Sequence, residues 1–391
     1  MYRDHTVAAV VPAYNESGFV GAVIDRIPSF VDRAYVVDDG STDDTWAEIN
    51  RHAAVRNDAH DGRFADLVLP IQHDHNRGVG GAIKTGYQRA REEGIDVTVV
   101  LGGDDQMDPD ELTRYIDPIV EGVAEYTKGN RFARPEDRAA MPRFRLFGNV
   151  VLSYLTKIAS GYWGSMDSQN GYTAISLPAL ERTDIDGMYE YYGYCNDLLV
   201  RLNVADVRIA DVPRSSNYAY SEGWKSHIDY TEYIPRVSVM LFRSFGWRLR
   251  EKYLLESYNP LALLYPIGIS ALTAGSAGLA NALARRRNDD GGSWFLSMIA
   301  GALLVLYAGV LDREDNEHLE RQIQPHEAGE TAASDVATSN LRAALDAVAA
   351  DQQDQSLHPG GDIGATIGGN DGPDDATDED SDTKTNGDTN E

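Results

Sequence analysis

Acidic residues and glycines recur in four short motifs within the first 110 residues, and each motif could contact a phosphorylated ligand. The motifs are PAYNE at residues 12–16, DDGSTDDT at 38–45, NRGVGGAIK at 76–84 and GGDDQMDP at 102–109. Carboxylates can hold a ribose, a base or a hard cation, and glycine-rich backbone at a helix N-terminus can approach a pyrophosphate. Taken singly, either of the first two motifs also fits an ordinary loop that ends in a helix cap.

The first two motifs offer groups that suit a nucleoside. Pro12 fixes the exit from a predicted strand, Tyr14 can flank a base, and Glu16 can accept a hydrogen bond from a ribose hydroxyl or a ring N–H. The paired carboxylates of Asp38 and Asp39 can bind the base or the ribose. We therefore predict that these five residues contact a nucleotide.

The other two motifs offer groups that suit a diphosphate. Gly80 lies in a glycine-rich run that opens a predicted helix, and basic side chains of the same run add positive charge. Asp104 could hold Mg²⁺ or Mn²⁺, with Asp105 and Gln106 as neighbouring ligands, because Mg²⁺ is commonly bound by one or two carboxylates plus substrate phosphates. Such a cation would neutralise the charge that builds on a leaving nucleoside diphosphate.

Short apolar runs precede these motifs and alternate with helical stretches. Predicted strands cover residues 6–11, 34–37, 67–71 and 97–101, and predicted helices cover residues 18–27, 42–52 and 79–93. Near-continuous apolar strands with helices between them predict a doubly wound, mostly parallel α/β sheet. Ligands of such sheets bind at the carboxyl ends of the strands, which is where the four motifs lie.

In this order the four motifs resemble the family 2 glycosyltransferases, which have the GT-A fold, and most closely the dolichol-phosphate mannosyltransferase branch. The resemblance covers residues 7–225 and implies inverting transfer of a hexose from a nucleotide sugar. The family pattern is Asp-X-Asp-X-Gln; Gly102 replaces its first aspartate, while Asp104 and Gln106 match the other two positions. Asp105 could compensate only through a turn, because successive side chains of an extended chain point to opposite faces.

The resemblance also implies residues that bind the acceptor. Arg131 and Arg145 occupy the places of a pair that binds a lipid phosphate, and guanidinium groups match phosphate oxygens bidentately; surface ion pairing is the alternative. A phosphate acceptor needs little general-base help, whereas a sugar hydroxyl would need a carboxylate. Asp197 is then the predicted base, and otherwise a helix cap. Arg214 falls where the family has an acceptor loop, although the matching arginine of that loop is not clear here.

The chain changes character after a predicted catalytic domain of residues 1–234. Residues 235–258 carry an apolar stripe edged by basic residues, which predicts an amphipathic helix on a membrane surface or docked on the domain. Residues 261–284 and 293–311 contain no charged residue and are long enough to cross a bilayer, so we predict a transmembrane hairpin. Residues 312–391 are acidic and poor in aromatics, which predicts a disordered cytoplasmic tail.

The composition limits the possible partners and the compartment. A formal net charge of −27 argues against duplex nucleic acid, which normally needs a basic surface. Acidic residues with few lysines are typical of proteins soluble in concentrated salt, which predicts a halophilic archaeal source; a mesophilic protein with an acidic tail is the alternative. The single cysteine, Cys195, excludes an intrachain disulfide. The polar N-terminus lacks a signal-peptide pattern, so we expect the catalytic domain to stay in the cytoplasm.

Together these features predict a multi-pass glycosyltransferase of the cell membrane. It would transfer a hexose to polyprenyl (dolichyl) phosphate or to a dolichyl-phosphate-linked glycan, for N-glycosylation or cell-surface glycan assembly. A catalytically weak nucleotide-sugar-binding scaffold is the alternative, and Gly102 is its support. A sugar-phosphate nucleotidyltransferase would share the sheet, but it would place a glycine-rich loop directly after the first strand, where residues 12–16 stand instead.

Overall fold

The computed structural model describes residues 1–133, 143–214, 230–256, 258–285 and 291–323, with the backbone alone for residues 143–147, 230–232 and 322. Within these residues the strands form one sheet in the order β3-β2-β1-β4-β6-β5-β7-β8. The strands are β1 (Val7–Ala13), β2 (Arg33–Asp38), β3 (Val68–Gln72), β4 (Val97–Val100), β5 (Tyr126–Asn130), β6 (Thr173–Ser176), β7 (Ile209–Pro213) and β8 (Glu320–Gln322). Strand β6 is antiparallel to both of its neighbours, and the other neighbouring pairs are parallel.

Helices cover both faces of this sheet and continue beyond it. They are α1 (Val20–Asp25), α2 (Thr45–Asp58), α3 (Val79–Glu93), α4 (Leu112–Val120), α5 (Arg143–Ser160), α6 (Leu177–Arg182), α7 (Tyr194–Val204), α8 (Tyr230–Arg250), α9 (Leu261–Ala284) and α10 (Gly291–Asn316). Helix α3 has the predicted limits, because Gly94 follows it in the left-handed conformation that ends helices, with φ of 66°. The predicted doubly wound, mostly parallel sheet is confirmed.

Strand β1 shows why the strands read as continuous apolar runs. Val7, Ala9 and Val11 enter the core on one face of the sheet, whereas Ala8 and Val10 enter the core on the other face. Because helices cover both faces, neither set of alternating side chains meets solvent. This two-sided burial places β1 near the centre of the sheet, with β2 on one side and β4 on the other.

The apolar stripe of α8 contacts the protein and not a membrane surface. Val237, Met240 and Leu241 are buried in one cluster with Ala159 of α5 and Val200 of α7. Of the two predicted arrangements, this face of the helix therefore has the one in which it docks on the domain. The stripe has the composition of a membrane-surface helix, but α5 and α7 supply apolar partners that the sequence of α8 alone does not reveal.

Helices α9 and α10 form a tightly packed hairpin. A Cβ atom at Gly275 would overlap the backbone of Met298, and one at Gly301 would overlap the backbone of Leu272. Such close approach at small residues is common between membrane helices. Both helices are long and apolar enough to cross a membrane, and only 28% and 11% of their most apolar windows are buried in the protein. That exposure is expected of helices surrounded by lipid.

Regular structure continues past the predicted end of the hairpin. Helix α10 runs to Asn316, and β8 then pairs in parallel with β7 at the edge of the sheet. The predicted disordered tail therefore does not begin at residue 312. Contacts with the catalytic domain bury Asp312, Asn316 and Leu319, and the composition of the segment by itself does not reveal these contacts. Residues 324–391 lie outside the described residues.

A buried polar cluster attaches the base of the hairpin to the catalytic domain. Arg248 and Asp312 are fully buried, and their side chains form two hydrogen bonds of 2.9 and 2.8 Å. The hydroxyl of Tyr253 donates to Asp312 at 2.8 Å, and Asn203 donates to Asn316 at 2.8 Å. Burial by itself would lower the pKa of Arg248, but the charge and hydrogen bonds of Asp312 raise it above its ordinary value.

Candidate active site

The carboxyl ends of β1 and β4 are in direct contact, and this contact builds the centre of the site. The N–H of Gly103 donates to the carbonyl oxygen of Pro12 at 3.2 Å. A Cβ atom at position 103 would lie 2.8 Å from the same oxygen, so only glycine allows this approach. The chain then leads Asp104 to the same edge of the sheet as Glu16, close enough for its charge to act on the Glu16 carboxyl.

The electrostatics of this pair of carboxyl groups suit a cation. Burial raises the pKa of Glu16 to about 7, and the charges of Asp104 and Asp43 add to the effect. Burial also raises the pKa of Asp104, although a hydrogen bond from the Gln106 N–H and the charge of Arg214 oppose this. Two partly desolvated carboxylates repel each other, so a positive charge between them would favour their ionised forms.

Hydrogen bonds join the loops that follow β1 and β2. The N–H of Asn15 donates to the Ser41 hydroxyl at 2.9 Å, and the N–H of Glu16 donates to the Thr45 hydroxyl at 2.8 Å. Tyr14 stands beside these bonds with 44% of its side chain exposed. The loops therefore present Tyr14 and Glu16 together, as the predicted nucleoside contacts require.

Asp38 and Asp39 bond to the loops around them. Both carboxylates are buried. Asp38 accepts a hydrogen bond from Gln72 at 2.9 Å, whereas Asp39 lies 2.7 Å from Nδ1 of His73 and accepts from the N–H of Gly78 at 2.7 Å. The contact of these two side chains with a base or ribose stays a prediction, and in the structure Asp39 bonds to the glycine-rich turn.

The glycine-rich start of α3 likewise contacts the protein itself. A Cβ atom at Gly80 would lie 2.5 Å from the carbonyl oxygen of Tyr189 and 2.8 Å from that of Glu190. Arg77 and Lys84, the basic residues of this motif, form ion pairs of 2.9 and 2.8 Å with Glu190. The close approach predicted for a pyrophosphate at Gly80 is thus made by residues 189–190, which the sequence does not place there.

The turn after β4 directs the Asp105 side chain away from Asp104. Asp105 adopts the left-handed conformation, with φ of 55°, so the turn needed for compensation exists. Its carboxylate nevertheless forms a 2.9 Å ion pair with Arg26, and the side chain of Gln106 is exposed. Across the described ranges, no group of three or more His, Cys, Asp or Glu side chains could hold a metal ion. That Asp105 joins Asp104 at one cation stays a prediction, and in this structure the Asp105 carboxylate pairs with Arg26 instead.

Arg131 lies after β5, as predicted, in a buried ion pair. Its Nε and Nη2 atoms donate to the Asp167 carboxylate at 2.8 and 2.7 Å, a bidentate arrangement that fixes the plane of the guanidinium. Burial alone would raise the pKa of Asp167, but the charge and hydrogen bonds of Arg131 hold it below its ordinary value. The other predicted phosphate ligand, Arg145, lies in α5, and its side chain is outside the described residues.

Arg214 lies at the site, whereas the sequence indicated only that it falls in the region of the family's acceptor loop. Its N–H donates to the carbonyl of Asn130 at 3.2 Å, and its Nη2 donates to the carbonyl of Gln106 at 2.9 Å. The guanidinium lies 5.2 Å from the ring centroid of Tyr172. Because β5 and β7 pair in parallel, Arg131 and Arg214 follow neighbouring strand ends. Its position directly after an apolar strand was the signal available in the sequence.

Asp197 does not have the surroundings of a general base. Its carboxylate is 2% exposed. It accepts hydrogen bonds from the N–H of Tyr189 at 2.9 Å, from Arg201 at 2.7 Å and from the Ser244 hydroxyl at 2.7 Å. The role as base therefore stays a prediction, and the carboxylate already accepts these three hydrogen bonds in the structure.

Comparison with known proteins agrees with the motifs. The family model for glycosyl transferase family 2 matches residues 8–183. A UDP-N-acetylglucosamine–dolichyl-phosphate N-acetylglucosaminyltransferase of Methanococcus voltae is 32% identical over 219 residues, which are 55% of this chain and 87% of that protein. The chain belongs to glycosyltransferase family 2. This glycosyltransferase is also 26% identical to an undecaprenyl-phosphate mannosyltransferase of Micrococcus luteus over 211 residues, 53% of this chain and 82% of that protein.

Solved structures with a similar arrangement include two sugar-transferring synthases. Mannosyl-3-phosphoglycerate synthase from Rubrobacter xylanophilus has a TM-score of 0.46 and 16% identity, over 65% of this chain and 77% of that chain. Glucosyl-3-phosphoglycerate synthase from Mycobacterium tuberculosis, solved with Mn²⁺ and UDP, has a TM-score of 0.44 and 17% identity, over 63% and 80% of the two chains.

Proposed function

We propose that this glycosyltransferase moves a hexose from a nucleotide sugar to a polyprenyl phosphate of the dolichyl type, or to a dolichyl-phosphate-linked glycan. The similarity to the Methanococcus voltae enzyme carries this proposal, because that relative transfers a sugar to dolichyl phosphate and the similarity covers 87% of its length. The Micrococcus luteus relative also acts on a polyprenyl phosphate. N-glycosylation or cell-surface glycan assembly would use such a product.

The donor lies at the carboxyl ends of β1 and β4 in this proposal. Tyr14 and Glu16 contact the nucleoside, and the diphosphate extends toward Asp104. Asp104, with Gln106, would hold a divalent cation, Mg²⁺ or Mn²⁺, which would neutralise charge on the departing diphosphate. The raised pKa values of Glu16 and Asp104 support a cation here. Burial and neighbouring negative charge disfavour the ionised form of both groups, and a bound cation would offset this effect.

The transfer is a single displacement with inversion at the anomeric carbon. An oxygen of the acceptor phosphate forms the new bond to that carbon while the bond to the nucleoside diphosphate breaks on the opposite face. Arg131 and Arg214 bind the acceptor phosphate from neighbouring strand ends, since guanidinium groups suit phosphate oxygens. An anionic acceptor needs no strong base, which agrees with the burial of Asp197.

The membrane contact extends beyond the hairpin in this proposal. Val151, Tyr154, Leu155 and Ile158 lie on one face of α5, at helical spacing, with 40–57% of each side chain exposed. Helix α8, packed beside α5, leads toward the hairpin. Lipid would cover this apolar face. The hairpin returns the chain to the side it left, and a nucleotide-sugar donor places both ends in the cytoplasm.

Sugar transfer to a defined lipid tests the function. The full chain, reconstituted in lipid nanodiscs with dolichyl phosphate, is supplied with radiolabelled UDP-, GDP- and dTDP-sugars, and label in the organic phase is counted. Asp104→Asn is expected to lower kcat about a hundredfold or more, because a catalytic cation contributes several kcal/mol. Asp110→Asn, in the exposed start of the next turn, is the matched control.

The outcomes separate the alternatives. Labelled lipid that forms with one donor, and that depends on Asp104 and on added Mg²⁺ or Mn²⁺, supports the proposal. Labelling that persists unchanged in Asp104→Asn contradicts the cation site. Absence of labelling with any donor, together with retained nucleotide binding, favours a nucleotide-sugar-binding scaffold.

A further inference from the structure

A buried ion pair joins β5 and β7 close to the ends of both strands. Lys128 and Asp211 are partners in the register of these parallel strands, and Nζ of Lys128 lies 3.0 Å from a carboxylate oxygen of Asp211. Their side chains are only 2% and 17% exposed. Two residues earlier the partners are Tyr126 and Ile209, and both are buried in the apolar core. A charged pair therefore replaces apolar packing at the end of the strands where the site lies.

One contact of the Asp211 carboxylate holds the chain on both sides of Arg131. The carboxylate accepts a hydrogen bond from the side-chain amide of Asn130 at 2.9 Å. The side-chain oxygen of Asn130 in turn accepts from the N–H of Phe132 at 2.8 Å. The residues directly before and after Arg131 are thus bonded to each other, and Asp211 fixes the amide that joins them.

Asp211 and Lys128 also hold the backbone of Met166. The Asp211 carboxylate accepts from the Met166 N–H at 2.9 Å, and Lys128 donates to the Met166 carbonyl oxygen. Asp167 follows with a left-handed φ of 54° and makes the bidentate contact with Arg131 described above. A non-glycine residue keeps such a conformation where its surroundings determine it. The ion pair therefore sets the position of the carboxylate that orients Arg131.

Stability alone does not account for a buried ion pair at this place. The cost of removing two charges from water can exceed the energy of their attraction, and well-packed apolar residues of similar volume are often as stabilising. The bonds of Asp211 lead instead to the backbone around Arg131 and to the residue before its carboxylate partner.

We propose that Asp211 and Lys128 are positioning residues that fix the guanidinium of Arg131 for the acceptor phosphate. This inference rests on the proposed function, since that function assigns the acceptor phosphate to Arg131. The two residues act through Arg131 and do not contact the phosphate themselves. Their loss should weaken binding of the acceptor and leave binding of the donor, at the ends of β1 and β4, unchanged.

Steady-state kinetics of the reconstituted full chain test this role. Asp211→Ala is expected to raise the KM for dolichyl phosphate about tenfold with the donor KM unchanged, because Arg131 must then be ordered when the lipid binds. Asp211→Asn keeps an oxygen for the Met166 N–H, so its effect should be smaller.

A double variant separates positioning from stability. Lys128→Met combined with Asp211→Leu removes both charges and extends the apolar face of Tyr126 and Ile209. It should be more stable than Asp211→Ala, because no buried charge is left unpaired, yet its KM for dolichyl phosphate should stay raised. A KM that recovers together with stability would show a purely structural role and overturn the inference.

Glu93→Ala is the matched control, at the amino end of β2. The Glu93 carboxylate is 24% exposed and accepts hydrogen bonds of 3.0 Å from Arg33 and from the Tyr35 hydroxyl. Its removal should lower Tm without a change in the KM for dolichyl phosphate. An equal rise of this KM in Glu93→Ala and Asp211→Ala would refute the positioning role.

A second comparison shows whether Asp211 acts through Arg131. Arg131→Lys keeps a positive charge beside Asp167 but loses the planar fork of the guanidinium. In this background Asp211→Ala should raise the KM for dolichyl phosphate by less than about threefold, because the effects of coupled residues are not additive. The same tenfold rise in both backgrounds would refute action through Arg131.

Binding of radiolabelled farnesyl phosphate to the same proteins in detergent distinguishes this inference from the proposed function. Affinity that falls in Asp211→Ala and in the double variant, but not in Glu93→Ala, supports the positioning role. Wild-type protein that binds farnesyl phosphate but transfers no sugar contradicts the proposed function, and the affinities of the variants then decide the role of the pair. Wild-type protein that neither binds farnesyl phosphate nor transfers sugar refutes both.

Discussion

The acidic side chains around the candidate site fall into two groups, which differ in their burial. Glu16 and Asp104 are partly exposed and face the proposed donor. Asp39 and Asp197 are buried, and each accepts backbone N–H groups of a loop at the site. Carboxylates that already accept several hydrogen bonds from the protein orient loops well and have less capacity left for a ligand. The chemistry therefore rests on fewer residues than the motifs contain.

The carboxyl group of Glu16 makes stability depend on pH. Its pKa of about 7 in the folded protein lies above the ordinary value of 4.5, so the folded state holds this proton more tightly than the unfolded chain. The stabilisation is complete below the unfolded pKa and is lost as the pH rises through about 7. Glu16→Gln, which stays neutral, should flatten the fall in Tm over this range.

Thermal unfolding from about pH 5 to about pH 8, measured without nucleotide or divalent cation, checks this prediction. Glu92→Gln serves as control, because Glu92 is exposed and remote from the site. A Tm that falls equally in both variants would show that Glu16 is not responsible.

Among the elements, the attachment of the hairpin to the catalytic domain should be sensitive to substitution, because it contains a buried ion pair. Asp312→Asn leaves the buried charge of Arg248 without its counter-ion, so it should destabilise the folded state by about 3–5 kcal/mol. Arg248→Met combined with Asp312→Leu should cost less than Asp312→Asn, because both charges are then absent. Denaturant unfolding in detergent measures these changes.

An exposed ion pair in the same region provides the comparison. Arg250→Ala removes the pair with Glu251, in which Arg250 is 64% exposed, and should change stability by less than about 1 kcal/mol. A double variant that is less stable than Asp312→Asn would contradict the explanation by unpaired charge.

The apolar face of α5 should contact lipid. Leu155→Cys, labelled with an environment-sensitive fluorophore in nanodiscs, should show blue-shifted emission and quenching by brominated lipid. Val55→Cys on α2 is the control, since Val55 is 64% exposed on a helix packed against α1 and β3, away from the hairpin. The native Cys195 is buried and should label poorly. Equal quenching at positions 155 and 55 would refute the lipid contact.

For the whole molecule, net charge is the dominant electrostatic property. A formal charge of −27 produces repulsion that opposes the compact state. Raising KCl from about 0.1 M to about 1 M shortens the Debye length from about 10 Å to about 3 Å, so Tm should rise and then level off. Differential scanning fluorimetry checks this, with sucrose at matched osmolality as the control. A Tm that falls with KCl would show that specific ion pairs outweigh the general repulsion.

Local sequence patterns determined the helices and strands, and also the edge of the sheet at which the candidate site residues lie. Apolar runs predicted the first four strands, and the length of two uncharged segments predicted the hairpin. The motifs follow strands, so parallel pairing alone brought Glu16 and Asp104 to one edge of the sheet. Periodicity and turn chemistry act over a few residues, which is why the sequence reveals them directly.

Tertiary structure alone decided which side chains are free to act. Asp105 turned to Arg26, 79 residues away, and Asp197 to Ser244, 47 residues away. Gly80 lies against the carbonyl oxygens of residues 189–190, and Arg214 donates to the turn at Gln106. Such pairings depend on how distant elements pack, because a charged or polar group takes the nearest partner that packing supplies. No spacing within a motif encodes that partner.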